Sequence, residues 1–183
     1  MDLQLQPFST INLADEFFDS LKEAYPEFCE WYNRKAAQGE KAYVSCFEDE
    51  RVADFLYMKI ETEAVEDVVP VLPAKRRLKV GTFKLRSRGT RRGEQMMEIV
   101  MNRAKEEKKD EIYATIFPTE ELKSLVRLFE RYGFRHVAEK VHPVGDAELR
   151  RDGNTDLRSC GETETRKEWV MVKSVAVQEV QTV

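Results

Sequence analysis

Cysteine is scarce in this chain of 183 residues: there are three, Cys29, Cys46 and Cys160. None forms a CxxC pair, and neither histidine, His136 or His142, stands at metal-ligand spacing from one. Free thiols in a reducing compartment follow, so the expected location is the cytoplasm, with no bound metal. No paired Ser/His or Cys/His arrangement stands out for nucleophilic catalysis. No stretch approaches the ~20 apolar residues of a membrane span. The opening MDLQLQPFST lacks the basic and apolar regions of a signal peptide. The eight glycines make neither GxGxxG nor the Gly-Lys-Ser/Thr of a nucleotide loop. Those absences exclude the usual dinucleotide and nucleoside-triphosphate folds.

Acidic residues are missing from one place. Between Lys75 and Arg92 stand nine of the 30 lysines and arginines and no acid, leaving 21 basic residues against 34 acidic ones elsewhere. The segment is therefore a candidate anion site on an otherwise acidic protein. Hydrophobic residues make up 42%, enough for one packed domain over 1–183.

Periodicity orders the chain. LQLQPF alternates as a strand does, and a helix is expected from Asn12 as N-cap, with Leu13, Phe17, Leu21 and Tyr25 on one side. Pro26 starts a second helix that Gly39 stops. KAYVSCF and VADFLYMKI read as strands, and the stretch to Pro73 as a connector. In RLKVGTFKL the alternation slips beside Gly81, as in a β-bulge. A helix from about Glu94 to Lys108 and the strand EIYATIF complete a βαβ unit with parallel strands. A further helix ends at Gly133, the strand FRHVAEKV follows, and a polar loop is expected over 142–166. That loop could cover an acceptor site. EWVMVKSVAV is the last strand. His136, alternating with apolar positions, reads as a structural histidine.

The loop Arg86-Ser87-Arg88-Gly89-Thr90-Arg91-Arg92-Gly93 lies between a strand end and a helix start. Helix-start N–H groups and the dipole favour phosphate there. Gly89 and Gly93 allow close backbone approach, and arginines give bidentate contacts.

These residues resemble the GNAT acetyltransferase superfamily, whose pyrophosphate signature is Gln/Arg-x-x-Gly-x-Gly/Ala. Arg88 and Gly93 match it, with Arg91 in place of the first signature glycine. Leu128-Phe129-Glu130-Arg131-Tyr132-Gly133-Phe134 is similar to the family's Leu-Tyr-x-x-x-Gly-Phe segment, with Phe129 where tyrosine is usual. The likeness is firm over 78–141, the coenzyme-binding core. It implies an α/β fold, a mixed and twisted sheet of about seven strands with helices on both faces. It also implies acetyl-CoA as acyl donor and direct attack by a small-molecule or peptide amine. Backbone near Phe83, Lys84 and Leu85 would hold the pantetheine arm. Arg88, Gly89, Thr90, Arg91, Arg92, Gly93 and Glu94 would hold the phosphates. At Phe129 the usual proton donor to the departing thiolate is missing, so Phe129→Tyr is expected to raise turnover. No catalytic residue is assigned. A homodimer stays open. A non-catalytic acyl-CoA-binding module is one alternative, and a nucleic-acid binder using Lys75, Arg76, Arg77 and Lys79 is another.

Overall fold

The computed structural model describes residues 2–86, 91–143 and 165–175. Seven strands form one sheet: β1 (Gln4–Pro7), β2 (Lys41–Cys46), β3 (Val52–Glu61), β4 (Arg77–Leu85), β5 (Glu111–Ile116), β6 (Arg135–Pro143) and β7 (Thr165–Ser174), in the spatial order β1-β2-β3-β4-β5-β7-β6. The flanking helices are α1 (Asp19–Ala24), α2 (Phe28–Ala37), α3 (Arg92–Glu106) and α4 (Lys123–Arg131). This is the α/β class expected. The chain divides into two compact units, Met1–Ile60 with Leu78–Lys108, and Glu61–Arg77 with Lys109–Val183. No helix among the described residues is long and apolar enough to cross a membrane.

In the first unit the antiparallel strands β1, β2 and β3 carry the α1–α2 segment on an aromatic core. Phe8 packs edge-on to Phe55 and Tyr57, at 5.6 and 5.2 Å between ring centroids, the geometry that ring quadrupoles favour. The helix expected from Asn12 begins only at Asp19. Asn12 Oδ1 accepts the Ala14 N–H, and Asp15 Oδ1 accepts the Phe17 N–H. Such short-range side-chain bonds compete with the helical ladder and win here. Phe17 is nonetheless buried, and Leu13, Leu21 and Tyr25 pack against the same core.

Along β4 the alternation holds through buried Leu78, Val80 and Thr82, then gives way to uniform half-burial at Phe83, Lys84 and Leu85. Gly81 has a reason of its own. A Cβ there would stand 2.8 Å from Cδ1 of the Tyr57 ring, so the ring lies directly on the strand's backbone.

The second unit has β7 antiparallel to both β5 and β6. The connector before β4 is irregular yet contributes to the core: Val65 and Val68 pack with Tyr113, Ala138 and Val170. The polar loop expected over 142–166 is shorter at both ends. His142 and Arg166 are paired strand residues of β6 and β7, because the hairpin ladder outlasts the apolar pattern. Residues 144–164 lie outside the described residues, and so does any role for that loop. α4 ends in a Schellman motif: Gly133 takes φ +87°, its N–H bonds to Glu130 O at 2.9 Å, and Phe134 N–H bonds to Phe129 O at 3.1 Å.

Candidate coenzyme site at the start of α3

The first three residues of β3 organise this region. The β2–β3 ladder is irregular between Ser45 and Cys46. Ser45 pairs with Asp54 and Cys46 with Val52, so Ala53 is the extra residue of a bulge. Ser45 and Asp54 are both buried polar residues, and a buried carboxylate requires donors. The Ser45 hydroxyl donates to Asp54 Oδ2 at 2.5 Å, and Arg92 donates to the same oxygen from Nε at 2.5 Å. Arg92 Nη2 also donates to Ser45 Oγ at 2.8 Å. The side chains of Arg92 and Asp54 are 20% and 2% exposed, which places this ion pair inside the unit.

Arg86, at the end of β4, is fastened next door. Its backbone N–H bonds to Ala53 O at 2.8 Å and its Nε to Val52 O at 3.0 Å. Its two terminal nitrogens reach Asp15 at 2.9 Å and Glu16 at 2.5 Å. Asp15 is shared: its second oxygen accepts the Val52 N–H at 2.8 Å. Lys84 turns to the α1 segment, donating to Phe17 O and to Ser20 Oγ, with its ammonium over the Phe17 ring. Burial first, and then the Arg86 charge, lower its pKa.

Of the residues expected to hold the coenzyme, Phe83, Lys84 and Leu85 occupy the last three positions of β4. Arg88, Gly89 and Thr90 lie outside the described residues. Arg91 is the N-cap of α3 and exposed; its carbonyl accepts the Gln95 N–H at 3.0 Å, and its side chain has no hydrogen-bond or ion-pair partner among the described residues. Arg92, Gly93 and Glu94 form the first turn, with Gly93 buried. First-turn N–H groups of a helix have no carbonyl behind them in the helical ladder. Side-chain-free Gly93 and outward Arg91 fit a phosphate there. Arg92, by contrast, is committed to Asp54.

Much of the basic run is paired with carboxylates of the same chain. Lys75 and Arg77 both bond to Glu111, at 2.5 and 2.9 Å, and Arg76 bonds to Asp110. Burial pushes the Glu111 carboxyl up, but the Lys75 and Arg77 bonds together outweigh it and hold it below the usual range. Sequence reasoning missed Ser45, Asp54, the bonds of Asp15 to Arg86 and Val52, and this pairing. Only Asp54 left a signal, a charge inside the apolar run VADFLY.

Elsewhere, His142 Nε2 lies 2.8 Å from Glu168, whose side chain is buried. His136 is exposed and stacks on Trp169 at 4.6 Å, in place of the satisfied structural histidine expected. A cavity of about 530 Å³ lies beside Asp15, Cys46, Asp49 and Arg51 and includes none of the expected coenzyme residues. No group of His, Cys, Asp or Glu among the described residues could hold a metal ion.

No family model and no curated protein matches the chain. Solved structures do. It is similar to Arabidopsis thaliana NAA60 in complex with a bisubstrate analogue, at 12% identity and TM-score 0.58, over 94% of this chain and 97% of that one. Chaetomium thermophilum Naa20 in complex with a bisubstrate analogue matches at 15% identity and TM-score 0.57, over 94% and 86%. A GNAT family acetyltransferase from Elizabethkingia anophelis with acetyl-CoA bound matches at 10% identity and TM-score 0.52, over 94% and 98%. The chain has the GNAT fold.

Proposed function

We propose that the protein transfers an acyl group, most simply acetyl, from acyl-CoA to an amine. The observation that carries this is the start of α3, where Arg91 is exposed and uncommitted beside side-chain-free Gly93, on a fold shared with a protein that holds acetyl-CoA. Arg91 meets a phosphate as a bidentate donor, and first-turn N–H groups complete the cradle. Residues 83–85 at the end of β4 supply backbone for the pantetheine arm. The amine nitrogen attacks the thioester carbonyl, the C–S bond breaks, and the amine's proton leaves to solvent or to sulfur. No acyl-enzyme is required. The bisubstrate analogues held by NAA60 and Naa20 support an acceptor that binds beside the acyl donor, and we take it to be a small-molecule or peptide amine.

Calorimetry with acetyl-CoA, free of added metal, tests the coenzyme site. Absence of binding at millimolar coenzyme, or a strict magnesium requirement, overturns the reading. Thiol release over a panel of small amines and peptide N-termini then tests turnover. The second reading is a non-catalytic binding module: the position where the family's tyrosine is usual holds Phe129, whose ring is buried against Phe134, and no other proton donor to the departing thiolate is assigned. Tight binding with no thiol release against any acceptor supports that second reading. The pairing of Lys75, Arg76 and Arg77 with Asp110 and Glu111 weighs against a nucleic-acid surface there.

A further inference from the structure

Asp54 places a negative charge close to where an anion is to bind, and by Coulomb's law alone it opposes that binding. Its charge is directed at Arg92, from Nε and Nη2, with the Ser45 hydroxyl closing the triangle. Arg92 is the first residue of α3. A guanidinium anchored at Asp54 therefore pins the first turn to β2 and β3. Arg86 is pinned to the two residues just before Asp54, Val52 and Ala53. The end of β4 and the start of α3 thus share one anchorage, three consecutive residues of β3.

We propose that Asp54 is a positioning residue for the coenzyme site, holding Arg92 as a strut rather than as a phosphate ligand. The strut fixes the direction of the first-turn N–H groups and leaves Arg91, among the described residues of the loop, as the cation that meets the phosphate. The inference rests on the reading of this helix start as an acyl-CoA site.

Asp54→Asn separates the two roles of Arg92 by the sign of the effect. If Arg92 were a ligand, neutralising Asp54 would release the guanidinium and remove a repulsion, so coenzyme would bind as well or better. With Arg92 as a strut, affinity falls on the order of tenfold, the usual scale for losing an outer-shell orienting partner. Ser45→Ala shifts affinity the same way by less, and carries the measurement if Asp54→Asn does not fold. Asp54→Asn and Arg92→Met combined lose little more than either alone, because both break one contact. Arg91→Gln weakens binding and flattens its salt dependence, whereas Arg92→Met weakens it and leaves the salt dependence unchanged.

Hydrogen exchange on the protein without coenzyme gives an independent readout. The amides of the first bonded turn of α3, beginning with Gln95 N–H, which donates to Arg91 O, exchange faster in Asp54→Asn. Unchanged or improved coenzyme affinity in a folded Asp54→Asn, or unchanged exchange, overturns the proposal. If the unmodified protein fails to bind coenzyme, the acyl-CoA reading falls by itself, and the exchange rates still decide whether Asp54 orders the helix start.

Discussion

Phe129 and Phe134 meet across the end of α4, their ring centroids 4.8 Å apart at 64°. They are the apolar pair that accompanies the helix-ending motif, and the Phe129 ring is 0% exposed. A hydroxyl added there enters a packed core. Phe129→Tyr is therefore expected to destabilise by about 1–3 kcal/mol and to leave turnover unimproved, contrary to what the sequence alone suggests. Thermal melts and thiol-release rates check the two halves. A rise in turnover would show the position facing the thioester after all.

Gly133 makes the same turn possible with φ +87°. An added Cβ meets only the far end of Lys173, 3.1 Å away, so the cost of Gly133→Ala is backbone strain. It is expected at about 1–2 kcal/mol, read as a lower Tm with coenzyme affinity unchanged.

Gly93 is buried in the first turn of α3. Gly93→Val puts a branched side chain at the phosphate cradle. Calorimetry is expected to show no coenzyme binding while the far-UV circular dichroism keeps its folded shape. Unchanged affinity in the folded variant would make this turn purely structural.

Glu111 gives a pH dependence with a definite sign. Its carboxyl is held below the usual range by Lys75 and Arg77 despite the opposing effect of burial. A carboxylate whose folded pKa is lowered adds stability above its unfolded pKa of about 4.3 and loses it as pH falls through the folded value. The Arg77 side chain is only 1% exposed, and removing its partner leaves a buried charge. Glu111→Gln is expected to cost about 3 kcal/mol at pH 7. The gap between variant and parent should shrink in melts taken near pH 3.

The thiols should separate by environment. Cys29 is exposed and Cys46 half-buried. Burial, then the charges of Asp15 and Glu50, push the Cys46 thiol up. In a Cys160→Ser background, an alkylating reagent at pH 8 is expected to modify Cys29 well before Cys46. Cys46→Ser should leave thiol release from acetyl-CoA unchanged.

The fold was legible where periodicity and punctuation agree. Gly39 and Gly133 mark helix ends with φ of +70° and +87°, and the strands of the β2–β3 hairpin fall where alternation puts them. The start of α1 was not legible, because Asp15 answers to Val52 and Arg86, 37 and 71 residues away. No local pattern encodes such a bond. The charge run from Lys75 to Arg92 misled in the same way. As a string it is uniformly basic, but Asp110, Glu111, Asp15, Glu16 and Asp54 come to it from elsewhere in the chain. Arg91 is conspicuous only after those pairings are drawn.

The bulge at Ala53 makes the length of the β2–β3 hairpin a constraint in itself. Side chains alternate between faces, so removing Ala53 to straighten the ladder would turn every earlier or later residue of β3 to the opposite side. Either Asp54 then leaves Ser45 and Arg92, or Val52 gives up its bonds to Asp15 and Arg86. The turn at 48–50 is exposed and can absorb an insertion, whereas one residue lost at position 53 cannot be compensated nearby. Among natural variants of this chain, gaps should accumulate in the turn and be absent from the three residues that follow Arg51.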